Sequence, residues 1–107
     1  MPTYLTVRRA RGPAWNPGVP LRSQAQWAEH AAFMNALAAD GFIVLGGPLG
    51  SGELRAGEDV LLVVDSTNEE AVRARFAADP WTASGLLVIT RVEPWTVLLR
   101  GRLDAGR

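Results

Sequence analysis

The chain has 107 residues, of which 48% are hydrophobic, and its eleven arginines balance eleven acidic residues to a formal net charge of zero. This length predicts one domain over residues 1–107 with a single core. The neutral balance argues against a nucleic-acid partner, which requires a basic excess. No apolar stretch approaches the ~20 residues of a membrane span, and the N-terminus lacks the pattern of a signal peptide. We therefore expect a cytoplasmic protein with no membrane partner.

Few of the residue types that carry chemistry are present. The sequence has no cysteine, which excludes a thiolate nucleophile, a disulfide and a thiolate metal site. It has no lysine either, which excludes a Schiff base. His30 is the only histidine, and histidine is the usual acid or base near neutral pH. One histidine with scattered carboxylates is not a specific ligand set, so we expect no metal and no other cofactor.

The first segment of the chain is a strand followed by a loop. Residues 3–9 alternate apolar and polar side chains, the period of a half-buried strand. Residues 10–21 contain two glycines and three prolines and are predicted to form a loop. Trp15 lies within this loop, and we expect its ring to pack back over apolar side chains.

A helix is predicted next. Ser23 and Gln26 have the spacing of a capping box, which predicts that the helix begins at this point. It runs to about Asp40, and Gly41 is suited to end it in a left-handed conformation. His30 lies at helical spacing between apolar residues, three positions after Trp27, so we place it at the edge of the buried face.

Two strands and a second helix are predicted to follow. Residues 42–45 form a strand that Gly46-Gly47-Pro48 stops, a glycine-rich connector covers residues 49–58, and the apolar run 60–64 forms a central strand. Thr67 and Glu70 form a second capping box, which opens a helix over residues 68–78.

That helix ends at Asp79-Pro80, because the residue before a proline avoids the helical conformation. We predict a turn over residues 81–85 and then one long strand, from residues 86–90 to 92–99, bent near Pro94. Residues 1–2 and 101–107 are expected to fray.

The element order β-α-β-β-α-β predicts an α+β, ferredoxin-like split fold, with a four-stranded antiparallel sheet and two helices on one face. This arrangement leaves the other face of the sheet bare, although its strands are apolar. The simplest cover is a second copy of the chain, so we expect a homodimer that pairs the two open sheet faces.

Several short motifs in this order resemble the YCII-related (YciI-like) family of dimeric α+β barrel proteins. They lie between residues 27 and 97, and they are His30, Gly41-Phe42-Ile43-Val44-Leu45-Gly46-Gly47-Pro48, Glu70-Ala71, Asp79-Pro80-Trp81, Gly85-Leu86 and Val92-Glu93-Pro94-Trp95. The resemblance implies a His–Asp pair in a pocket of each subunit, here His30 and Asp79. It also implies small-molecule chemistry, since one branch of the family is assigned a dehydrochlorinating lyase activity on a hydroxylated ring. The loop at residues 10–21 and the connector at 49–58 depart from the family pattern, so no substrate transfers.

His30 and Asp79 are the candidate catalytic residues. An aspartate bonded to one ring nitrogen fixes the tautomer and makes the other nitrogen a better base. Two plainer interpretations stay open. The residues alone favour a core histidine with one hydrogen bond for His30. Asp79 can hold the turn before Pro80, a role that does not exclude orienting an imidazole.

The candidate substrate-binding residues are polar, aromatic or backbone groups near these motifs, namely Gly47, Pro48, Trp81, Ser84, Trp95 and Arg8. All but Ser84 have a structural alternative. Gly47-Pro48 can simply end a strand, the tryptophans can fill the core or a dimer interface, and Arg8 can be an ordinary surface arginine.

These observations predict a cofactor-independent enzyme of lyase or isomerase type acting on a small organic substrate. Hydrolysis fits less well because no nucleophile is evident. Two alternatives remain: a non-catalytic small-ligand-binding or accessory module that uses the same pocket, and a purely structural dimer.

Overall fold

A computed structural model describes residues 3–101 as a four-stranded sheet with three helices. In chain order the elements are β1 (Thr3–Arg11), α1 (Trp27–Ala39), β2 (Ile43–Pro48), β3 (Val60–Val64), α2 (Glu69–Ala77), α3 (Pro80–Ser84) and β4 (Leu87–Thr96). Apart from exposed Gly101, the termini predicted to fray lie outside the described residues. Within residues 3–101, no helix is both long and apolar enough to cross a membrane.

The sheet confirms the predicted α+β architecture. Its strand order is β2-β3-β1-β4 and every neighbouring pair is antiparallel, which is the order of a ferredoxin-like split fold. One face carries the main core, in which Leu5, Val7 and Val64 from the sheet pack with Leu37 of α1 and Phe76 of α2. Both long helices therefore cover the same face of the sheet, as the sequence predicts.

The opposite face of the sheet is open and apolar. Tyr4, Leu45, Val63 and Trp95 line a hollow of about 200 Å³ on this face. Leu45 and Trp95 are 49% and 48% exposed. Side chains of this size on one bare sheet face form a patch of the kind that soluble proteins usually cover.

The predicted capping box at Ser23 is wrong, because α1 begins four residues later, at Trp27. Ser23 belongs to a short 3-10 turn. The side-chain amide of Gln24 donates to the carbonyl oxygens of Asn16 and Val19 (2.7 and 3.0 Å) and ties this turn to the preceding loop. Gln26 then takes a left-handed conformation (φ 61°) that turns the chain into the helix, and its side chain makes no capping bond.

The other helix boundaries are closer to expectation. Gly41 follows α1 with φ +87°, so the predicted left-handed terminator is confirmed. At the start of α2 the cap lies one residue later than predicted. The Asn68 side chain, not that of Thr67, accepts the amide of Ala71 at 3.0 Å.

Gly46-Gly47-Pro48 does not stop β2, contrary to the sequence prediction. The strand continues through these residues, and Pro48 pairs with Val60. A proline is tolerated there because β2 is an edge strand. A Cβ at Gly46 would overlap the Leu62 side chain, so glycine lets the two strands approach at this point.

The long last strand is irregular at Thr90 and not at Pro94, where the sequence predicts a bend. Arg8 pairs with Arg91 while Arg9 pairs with Ile89, so Thr90 is an extra residue in β4. Pro94 stays in register opposite Leu5. The edge position of β4 explains why the proline does not disturb the pairing.

Candidate active site

Asp79 is fully buried at the junction of α2 and α3. The segment predicted to be a turn is the short helix α3, and Asp79 is its N-cap, with Oδ1 accepting the amide of Trp81 at 2.9 Å. Pro80 fits the first helical position, where no amide is needed. Gly85 ends the helix with φ +81°. Local contacts at the start of α3 therefore hold the carboxylate in place, in addition to its contacts with residues distant in sequence.

His30 meets this carboxylate from α1. Its side chain is only 10% exposed, and Nδ1 lies 2.9 Å from Oδ1 and 3.0 Å from Oδ2 of Asp79. An ionised carboxylate can only accept hydrogen bonds, so Nδ1 carries the proton and donates. In the neutral ring the lone pair then lies on Nε2.

Arg9, which is not among the predicted site residues, is the second side chain on the carboxylate. Its Nη1 donates to Asp79 Oδ2 at 2.8 Å and its Nη2 to Thr82 Oγ1 at 2.7 Å. The side chains of Arg9 and Asp79 are both 0% exposed. The carboxylate thus holds three donors, from His30, Arg9 and the amide of Trp81.

The alternation of β1 contains the signal that places Arg9. Successive side chains of a strand point to opposite faces, so Arg9 shares the face of buried Leu5 and Val7. Arg8, the predicted substrate-binding residue, points the other way and pairs with Asp59 at 3.2 Å on a half-exposed surface.

The charges of this cluster stabilise the ionised carboxylate. Burial alone would raise the pKa of Asp79, but hydrogen bonds from His30, Arg9 and the Trp81 amide outweigh it and hold that pKa below its ordinary value. Burial lowers the pKa of Arg9, while Asp79 opposes that shift. We therefore treat the buried pair as a carboxylate and a guanidinium.

Trp81 fixes the plane of the imidazole. The His30 and Trp81 rings are stacked, with centroids 3.9 Å apart and planes 4° from parallel. The indole is itself anchored, because Nε1 donates to the carbonyl oxygen of Ala25 at 2.7 Å. Trp27 packs against His30 at a tilt, 5.9 Å between centroids. The ring thus has little freedom to turn away from Asp79.

A cavity of about 190 Å³ lies beside this cluster. Four of the predicted site residues, His30, Gly47, Pro48 and Trp81, line it. The rest of the wall is mostly apolar and includes Trp27, Met34, Leu54 and Leu62. The arrangement is a mostly apolar pocket with His30 and Arg9 in its wall, and both side chains are bonded to the buried carboxylate of Asp79.

The structure does not bring Ser84, Trp95 or Arg8 to this cavity. Ser84 ends α3 beside a separate surface depression, with Gln24 and Leu86. Trp95 and Arg8 border a depression on the open sheet face. Within residues 3–101, no group of three or more His, Cys, Asp or Glu side chains is placed to hold a metal.

The loop after β1 and the connector between β2 and β3 both reach the cavity, because Leu21 and Leu54 line it. Trp15, 7% exposed, packs with Trp81 in a second apolar cluster, as the sequence predicts for this ring. Leu54 belongs to the same cluster, although it is a fully buried residue with a left-handed backbone (φ 54°). Arg11 joins the two loops: its Nε donates to the Leu54 carbonyl at 2.8 Å, and its guanidinium lies over the Trp15 ring.

Leu54→Ala is expected to destabilise the protein by about 2–5 kcal/mol, because it removes a buried side chain that packs the second cluster and lines the cavity. Urea unfolding measures the change. Leu49→Ala is the matched control, since Leu49 lies in the same connector but is 37% exposed. We expect that control to cost less than about 1 kcal/mol. Equal losses for the two variants would show that Leu54 is not a packed wall of the cavity.

Comparisons with known proteins agree with this fold. Residues 13–96 match the family model of the YCII-related domain, and the chain therefore belongs to the YCII-related domain family. No curated protein gave a significant match. Among solved structures, the chain is similar to the 5-chloro-2-hydroxyhydroquinone dehydrochlorinase TftG from Burkholderia phenoliruptrix AC1100, in complex with 2,5-dihydroxybenzoquinone. The two are 27% identical, with a TM-score of 0.60 and coverage of 88% of this chain and 93% of that one.

Proposed function

We propose that this protein is a cofactor-independent lyase or isomerase acting on a small single-ring compound, with His30 as general base and Asp79 as its orienting partner. The observation that carries this proposal is the hydrogen bond from Nδ1 of His30 to the buried carboxylate of Asp79, made by a ring that also lines a cavity. Nε2 of the neutral ring is then the proton acceptor. A correctly placed general base contributes about 10²–10⁴-fold in rate.

The cavity supports a small planar substrate. A cavity of about 150 Å³ with an apolar lining is sufficient to bind benzene, and the cavity beside His30 holds about 190 Å³. The flat indole of Trp81 and the aliphatic side chains of Met34 and Leu62 suit a ring better than a flexible polar chain. TftG, which shares this fold, acts on a chlorinated hydroxyhydroquinone and is found with a dihydroxylated quinone.

The residues at the cavity favour an elimination or isomerisation. Among its described lining residues, His30 is the one side chain suited to exchange a proton near neutral pH. In a dehydrochlorination of a chlorinated hydroxyhydroquinone, chlorine sits on an aromatic carbon, so the ring must first take its keto form. Nε2 of His30 takes a hydroxyl proton, a C=O bond forms, and the same proton is returned to the chlorine-bearing carbon. Nε2 then takes the proton of the opposite hydroxyl: a second C=O bond forms, the ring double bond shifts, and the C–Cl bond breaks with its pair going to chloride.

Two measurements test this proposal. We expect 2,5-dihydroxybenzoquinone to raise the melting temperature of the wild-type protein. We also expect the wild-type protein, but not the His30→Ala variant, to release chloride from 5-chloro-2-hydroxyhydroquinone. Absence of both effects across a panel of chlorinated and hydroxylated rings would rule out an enzyme of this substrate class. Binding without turnover of any compound in the panel would identify a ligand-binding module instead.

The open sheet face supports a homodimer. Exposed Leu45 and Trp95 flank the apolar hollow on this face. If two copies pair through this face, each copy covers the apolar patch of the other.

We expect sedimentation at micromolar concentration to give twice the 11.5 kDa chain mass. Leu45→Asp should yield the monomer, because it would bury a charge in the interface. Ala32→Asp, at an exposed position of α1, is the control and should leave the dimer intact. A wild-type monomer would contradict the proposal.

A further inference from the structure

Arg9 is a fully buried arginine held by side-chain hydrogen bonds. Its two terminal nitrogens bond to Asp79 and Thr82 at 2.8 and 2.7 Å, and its guanidinium carbon lies 5.4 Å from the centroid of the Phe76 ring. Nε is buried without a partner among the described residues. A buried arginine with one orphaned donor is a costly feature, so its charge needs an explanation beyond packing.

The charge beside His30 decides whether the imidazole can act as a base. A buried carboxylate with no counter-charge would favour the protonated imidazole, because opposite charges at this distance stabilise each other. The protonated ring has no free lone pair and cannot remove a proton. The guanidinium of Arg9, hydrogen-bonded to Asp79, cancels the charge of the carboxylate, so the imidazole meets a pair that is neutral overall.

We propose that Arg9 is a positioning residue that neutralises Asp79 and thereby keeps His30 unprotonated, and so able to act as a base, at neutral pH. This inference rests on the proposed function for its biological meaning. Its physical content concerns only the protonation of one ring.

The surroundings of His30 leave this role to Arg9. Asp79, before α3, and Arg9, from β1, are the ionised side chains of the hydrogen-bonded cluster. Arg22 lies beyond Trp27, with its guanidinium carbon 5.8 Å from the indole centroid. From β2 and β3 the cavity wall receives glycine, proline and aliphatic residues, which carry no charge: Gly46, Gly47, Pro48, Val60 and Leu62.

The single histidine makes the test direct, because every imidazole signal in an NMR titration belongs to His30. In the wild-type protein at pH 7 we expect a neutral ring with its proton on Nδ1. In Arg9→Met the titration midpoint of the ring should move to higher pH by about one unit, since a neighbouring charge of this kind shifts such equilibria by one to three units. Turnover should fall about tenfold at pH values well below both midpoints but by no more than about twofold at pH 7, and it should recover as the pH is raised.

Two controls separate charge from structure, and a further variant covers the case of misfolding. Arg9→Lys keeps the charge, so its midpoint should stay nearer to wild type than to Arg9→Met. Thr82→Val removes one hydrogen bond of Arg9 but no charge, and should not move the midpoint. If Arg9→Met does not fold, Arg9→Gln removes the charge while keeping a polar side chain at this position.

A ring that is charged at pH 7 in the wild-type protein would overturn the inference without any variant. A midpoint that stays unchanged in a folded Arg9→Met or Arg9→Gln protein would overturn it as well. The titration uses no substrate, so it fails or succeeds independently of the chloride-release assay. A shifted midpoint in a protein that turns over none of the test compounds would refute the proposed enzyme and leave the role of Arg9 standing.

Discussion

Replacing His30 by glutamine is expected to lower the rate of chloride release by about 10²–10⁴-fold, because glutamine is polar but cannot take up a proton. Binding of the quinone test ligand should persist, since the apolar wall around Trp81, Met34 and Leu62 is unchanged. Single-turnover measurements at saturating substrate, paired with an equilibrium binding titration, separate the two effects. A loss of binding alone would make His30 a recognition residue.

The matched control for this experiment is Glu29→Gln, which changes an exposed neighbour on the same helix. It should retain the wild-type rate. The pH dependence gives a second check, because protonation of Nε2 removes the base and the wild-type rate must fall as the pH is lowered. A rate that is flat between about pH 5 and 9 would remove His30 as the base.

The order of the elements was predictable because it depends on local patterns. The apolar run of β3 and the alternation of β1 are visible in a few neighbouring residues, and the strand order of the sheet follows from the β-α-β-β-α-β sequence. The start of α1 was not predictable in this way. Gln24 bonds to the backbone of Asn16 and Val19, several residues away, and this contact replaces the capping box that the local spacing suggests.

The candidate site likewise combines features that local patterns predict with contacts between residues far apart in the sequence. His30 and Asp79 are 49 residues apart, and only the resemblance to a family predicts that they lie together. In the structure a hydrogen bond of 2.9 Å joins them. Arg9 was not predicted, but the sequence contains the information that places it. The alternation of β1 puts Arg9 on the same strand face as Leu5 and Val7. Ser84 was chosen by residue type alone, and residue type does not tell which side of a helix faces a cavity.

Asp79→Asn is expected to destabilise the protein by about 3–5 kcal/mol, because it leaves the guanidinium of Arg9 buried without a counter-charge. The chain contains its own control in the adjacent pair. Arg8 and Asp59 are bonded at 3.2 Å, but their side chains are 43% and 29% exposed, so Asp59→Asn should cost no more than about 1 kcal/mol. Urea unfolding at pH 7 compares the two variants directly.

The pH dependence of this difference follows from the sign of the shift at Asp79. Burial raises the pKa of Asp79, but the hydrogen bonds from His30, Arg9 and the Trp81 amide together lower it by more. The pKa in the folded protein therefore lies below the ordinary 3.8. The ionised carboxylate therefore contributes its full stabilisation above about pH 4 and loses it as the pH falls through the folded pKa. The gap between wild type and Asp79→Asn should not narrow between pH 7 and about pH 5, and it should narrow only in more acidic solution. A gap that had already closed at pH 5 would mean that Asp79 is protonated in the folded protein, and then neither the tautomer of His30 nor the charge balance with Arg9 would hold.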